Sequence, residues 1–115
     1  MISPIDELAA DAKRSFERAL EPLRSVKGLG KELLLEIESE SLLAFKATAL
    51  AAKGSDDLDE IANRWREIAE LYDWAHGAIE KFNSETPVDP DRLSRVLWLL
   101  DHLRQRARRL HALHA

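Results

Sequence analysis

From Leu58 to Phe82, eight apolar or small side chains (Leu58, Ile61, Trp65, Ile68, Tyr72, Ala75, Ile79 and Phe82) recur at alternating intervals of three and four residues. A mean interval of 3.5 draws one continuous stripe along an α-helix, and no period-two alternation competes with it. A stripe of this length must be covered, so the chain is committed to packing helix on helix. Leu93, Val96, Leu100, Leu103, Ala107, Leu110 and His114 repeat the rhythm closer to the C-terminus.

The breaks between such stretches define four helices. The chain holds only four glycines and four prolines, and they sit almost entirely where a helix has to start or stop. The first helix opens at Ser3-Pro4-Ile5-Asp6, with Ser3 as cap, and is expected to run to about Lys27 before Gly28. Pro22 lies inside that span and removes one ladder hydrogen bond, which predicts a kink or an early end. The second helix runs from Gly30 to Lys53, and Gly54-Ser55-Asp56-Asp57 both stops it and starts the third, with Ser55 or Asp57 as cap. Asp89 and Pro90 begin the fourth.

Helices of roughly 23 to 28 residues joined by such short loops must run antiparallel to their neighbours, because the loops cannot span a helix length of about 35 Å. The expected fold is an all-α, antiparallel, up-down-up-down four-helix bundle forming one domain over residues 1–115, completed or extended by homodimerisation through the second helix. At 45% apolar and 33% charged residues, a chain of 115 can bury a core of its own. The absence of cysteine excludes disulfides, thiolate metal sites and a cysteine nucleophile. No apolar run approaches a membrane span, and MISPIDELAADAKR lacks the plan of a secretion signal, so a cytoplasmic location is expected.

Charge is unevenly spread beneath a net of −4. Residues 56–90 carry ten acids against three bases, whereas residues 91–115 carry six arginines against two aspartates. Projection at 100° per residue separates what one bundle buries from what it leaves over. On the second helix Leu33, Leu34, Ile37, Ala44, Thr48 and Ala51 face inward, but Leu35, Leu42, Leu43 and Leu50 point largely outward. Trp98 falls opposite the fourth helix's stripe, one turn from Arg95 and His102, and Trp74 falls well off the third helix's stripe. Such surplus apolar surface marks a protein interface, and tryptophan beside arginine is the favoured composition of its centre. Ala47, Ala49, Ala51 and Ala52 offer a small-residue surface on which another helix could approach closely.

Sites of chemistry are sparse. Arg106 to His111 and Arg109 to His114 each set a histidine five residues after an arginine. This spacing resembles the Arg-x4-His motif of the HEPN ribonucleases, which are also helical bundles; the resemblance implies an arginine holding an RNA phosphate beside a histidine acting as acid or base. It covers six residues and lacks the polar residue that often follows the arginine. Ala49 to Glu60, continuing to Trp65-Arg66-Glu67, resembles the central helix-break-helix of phasins, which coat polyester granules, although Ile61-Ala62-Asn63 stands where many phasins have a glutamine. His111 with His114, or Asp73 with His76, has metal-ligand spacing without a third or fourth ligand, so no metal or cofactor is expected. Nucleic-acid binding through the basic last helix is disfavoured by the acidic total.

The sequence thus reads as a non-enzymatic interaction protein that binds and occludes a partner protein, in the manner of an antiactivator, immunity protein, antitoxin or chaperone, and that forms a homodimer. The expected interface is Leu35, Leu42, Leu43, Leu50, Trp74, Trp98, Arg95 and His102, with the acidic third helix steering toward a basic target. The alternatives are a HEPN-like RNA-cleaving or nucleic-acid-binding bundle using the C-terminal Arg/His segment, and a phasin-like granule-associated protein.

Overall fold

The computed structural model describes residues 4–24, 30–83 and 90–114, and every regular element among them is helical. Helix α1 spans Pro4–Leu20 and is followed by a 3-10 turn at Glu21–Arg24; α2 spans Lys31–Lys53, α3 Leu58–Asn83 and α4 Pro90–His114. None of them is long and apolar enough to cross a membrane.

Pro22 decides where α1 ends. It has no N–H to offer the carbonyl one turn back and its ring crowds that turn, so the α ladder gives way after Leu20 and the chain tightens into the 3-10 turn. Of the two outcomes the proline allowed, the chain takes the early end, short of Lys27. The Ser3 and Asp89 caps and the Gly28 stop lie outside the described residues.

The α2–α3 connection is built from short-range hydrogen bonds. The Gly54 N–H donates to the Leu50 carbonyl at 3.2 Å with φ of −91°, so this stop needs no left-handed residue. Asp57 is the cap of α3: its Oδ1 accepts the N–H groups of Asp59 and Glu60 at 3.1 and 3.2 Å, two donors that the first turn of any helix leaves orphaned. Ser55 takes a different part, accepting the Asp57 N–H at 3.2 Å and so holding the cap in place.

One core joins all four helices, with Phe16 and Leu20 from α1, Leu34 and Ile37 from α2, Trp65, Ile68 and Tyr72 from α3, and Val96 and Leu100 from α4. Both predicted stripes supply its spine over their middle lengths: Leu58, first on the α3 stripe, is exposed, the side chain of Phe82, last on it, lies outside the described residues, and His114, last on the α4 stripe, is half-buried. Tyr72 sits at the centre, its ring centroid 5.4 Å from that of Phe16 and its hydroxyl donating to the Ser41 carbonyl at 2.8 Å. The buried hydroxyls of α2 turn onto their own helix, Ser41 Oγ to Glu38 O and Thr48 Oγ1 to Ala44 O, at 2.8 and 2.7 Å.

The helices associate as two closely packed pairs, α3 with α4 and α1 with α2. Contacts along α3 and α4 run in reverse order, His111 meeting Ala62 while Arg104 and Arg108 meet Asp73. Phe45 packs on Trp65 with ring centroids 5.0 Å apart, while Ser41, earlier in α2, meets Tyr72, later in α3, so this pair is reversed too. A smaller cluster of Ala9, Ala47 and Ala51, with Ala12 against it, joins α1 to α2.

Candidate functional site

The four outward leucines of α2 are all solvent-exposed, between 37% and 51%. They form two flanks, with Lys46 between them. Leu43 and Leu50 line a groove of about 380 Å³ between α2 and α1, together with Glu40, Lys46 and Ala47 on one wall and Leu8, Asp11, Ala12 and Ser15 on the other. Leu35 and Leu42 fall on the opposite flank, the one that carries Phe45, whose ring lies 5.7 Å beneath the Arg106 guanidinium of α4.

Alanine explains why this groove exists. Ala47 and Ala51 are buried against Ala9, so the close approach permitted by the small residues of α2 is made by α1 of the same chain. Side chains this short bring two backbones together but fill little space above the contact, so the larger neighbours Leu8, Leu43 and Leu50 stand as open walls. Leu8 belongs to the groove although no reading of the stripes singled it out. Its signal is the spacing of Leu8, Ala12 and Ser15 on one flank of α1.

The outer face of α4 has a different character. Trp98 is 65% exposed, and the His102 ring stacks on it at 5.2 Å and 6°. Arg95 is exposed one turn before Trp98, and beyond His102 a shallow hollow is lined by Arg106, Arg109 and Leu110. Trp74 behaves otherwise: it is only 36% exposed, and the guanidinium of Arg24, from the 3-10 turn that Pro22 creates, lies 4.5 Å from its ring. The protein's own loop thus covers part of the ring.

The basic run of α4 is divided by side. Arg104 and Arg108 turn onto α3 and donate to Asp73 at 3.3 and 2.6 Å, and Arg104 also bonds Asp101. The hydrogen bonds from Arg104 and Gln105 hold the Asp101 carboxyl below the usual carboxylate range. Much of the acid of α3 is matched in the same way, Glu60 by Arg64, Glu67 by Lys13, Glu70 by Arg66 and Glu80 by His76, all within 3.4 Å.

Arg106 and His111 face different neighbours. Arg106 covers Phe45 of α2, whereas His111 Nδ1 meets the Ala62 carbonyl of α3 at 2.9 Å. A carbonyl can only accept, so Nδ1 carries the proton and a neutral ring keeps its lone pair on Nε2. Arg109 bonds back to the Gln105 carbonyl at 3.5 Å. Among the described residues no group of three or more potential ligands could hold a metal ion. No family model, curated protein or solved structure matches this chain, so the two resemblances rest on the quoted residues alone.

Proposed function

We propose that this chain is a non-enzymatic binding protein that occludes a surface of a partner protein, with Trp98 inserting as the central contact. The observation that carries the reading is the state of that side chain: a tryptophan two-thirds exposed, on a continuous helix, stacked on His102 and followed by Arg106 and Arg109. A rigid aromatic ring beside arginines is the composition in which binding energy concentrates, because it buries a large area at little cost in side-chain entropy. With Arg104 and Arg108 paired to Asp73 of α3, Arg95, Arg106 and Arg109 are the cations assigned to this face, and they fit a partner whose apolar pocket is rimmed by acids. Most acids of α3 are paired with neighbouring bases, so this reading assigns steering by charge to α4.

Self-association through α2 belongs to the same reading, as does the up-down-up-down connection of the helices, which the reversed contacts of α3 with α2 and with α4 support. The test is affinity capture with the wild type and with Trp98→Asp and Arg95→Glu as bait, each matched to the wild type by circular dichroism and thermal melting. A stoichiometric partner retained by the wild type and lost by both variants is the expected outcome; identical capture by all three overturns the assignment. Cleavage of RNA by the wild type that vanishes in His111→Ala would replace this reading with the ribonuclease one.

A further inference from the structure

We infer that the α1–α2 groove is closed by a second copy of this chain, related by a two-fold axis running along the helices. The inference rests on the reading of α2 as a self-association surface and is independent of the Trp98 face.

The groove has an alanine floor, Ala12 and Ala47, between leucine walls, Leu8 on α1 and Leu43 and Leu50 on α2. Leucines half in water gain most from a partner that offers knobs of the same kind at the same spacing, and the groove's own walls are such knobs. Charge then selects the occupant. Asp11 stands on the α1 wall and Lys46 on the α2 wall of this one groove. A two-fold axis along the helices exchanges the walls, laying α2 of each copy on α1 of the other. Each Lys46 then meets the other copy's Asp11, and the pair is made twice.

The remaining polar lining follows the same rule, since Glu40 on the α2 wall and Ser15 on the α1 wall are an acceptor and a donor. A wholly acidic partner would leave Asp11 facing like charge, and a wholly basic one would do the same to Lys46. A two-fold axis across the helices would stack α2 on α2, setting lysine toward lysine. Of these arrangements, the self-complementary one matches both signs. Asp11 also pairs with Arg14 on its own helix, an exposed contact one turn away that is worth little and leaves the carboxylate able to accept a second cation.

The experiment is sedimentation equilibrium over a hundredfold concentration range, on the wild type, Asp11→Lys, Lys46→Asp and the double variant. The wild type is expected to be a dimer. Each single change should weaken it by about tenfold or more, and the double change should restore it to within about threefold, because the reversed pair is again complementary. An equimolar mixture of the two single variants should form a heterodimer that neither forms alone. Leu43→Glu should remove the dimer while the helical signal of the monomer stays. Trp98→Asp should remain dimeric, so failure of the dimer and failure of partner capture are read separately. A wild type monomeric throughout, single variants that dimerise unchanged, or a double variant that stays monomeric would each overturn the inference.

Discussion

The two helix pairs of this bundle solve the same problem with different residues. Helices α3 and α4 bring large side chains to the common core, Trp65, Ile68 and Tyr72 from one and Val96, Leu100 and Leu103 from the other, and are tied outside it by Asp73 to Arg104 and Arg108. Helices α1 and α2 meet along part of their length through alanines, and their leucines Leu8, Leu43 and Leu50 remain at the surface. A pair closed by large residues is complete within one chain. A pair closed by small ones leaves walls without a filling, and here those walls stand open to solvent.

The contrast is tested hardest by deleting bulk from each half. Trp65→Ala should lower the unfolding free energy by about 3–5 kcal/mol, as expected for an aromatic side chain removed from a closed core, whereas Leu43→Ala in the monomer should stay within about 0.5 kcal/mol. Urea unfolding of both variants at low protein concentration checks this; equal losses would mean that the groove wall is as much core as Trp65. Next in size, Ala47→Leu should cost about 1–3 kcal/mol by forcing α1 away from α2, although the residue added is more apolar than the one removed. A stabilising Ala47→Leu would show that the alanine contact is slack.

Tyr72 sharpens the comparison from the centre. Tyr72→Phe removes the bond to the Ser41 carbonyl and should cost about 1 kcal/mol near neutral pH. Burial also pushes the phenol pKa well above the ordinary 10.0, so the folded state holds a proton that the unfolded chain gives up. The contribution is therefore complete below pH 10 and is lost progressively as pH rises beyond it. Because the chain has a single tyrosine, its ultraviolet titration reads this group alone. Ionisation in the folded protein near 10 would contradict the burial, and Tyr72→Phe should flatten the alkaline fall in stability. Smallest of all, Asp73→Asn should cost about 0.5 kcal/mol, and less in high salt, since its arginine pairs are partly exposed.

Much of this fold is legible along the chain because its signals are local. The stripes of α3 and α4 declare themselves by period, Asp57 caps through a side chain two and three residues from its donors, and Pro22 ends α1 through its missing N–H. The candidate site was half legible. That Leu35, Leu42, Leu43 and Leu50 point outward follows from angle alone, and so does the isolation of Trp98.

What angle alone withholds is who stands beside each side chain. Leu43 and Leu50 share a groove with Leu8, more than 30 positions away, while Trp74 is partly covered by Arg24 from the turn that follows the early end of α1. Arg104 and Arg108 look like free cations in the sequence until α3 is laid alongside and Asp73 engages them. Helical phase and the ends of helices depend on interactions within about one turn, so the order of residues suffices to set them. Partnership between faces depends on the distance between helix axes, which here the buried alanines set and which only the packed bundle expresses. That distance decides that one flank of α2 ends as a groove with Asp11 on one wall and Glu40 and Lys46 on the other.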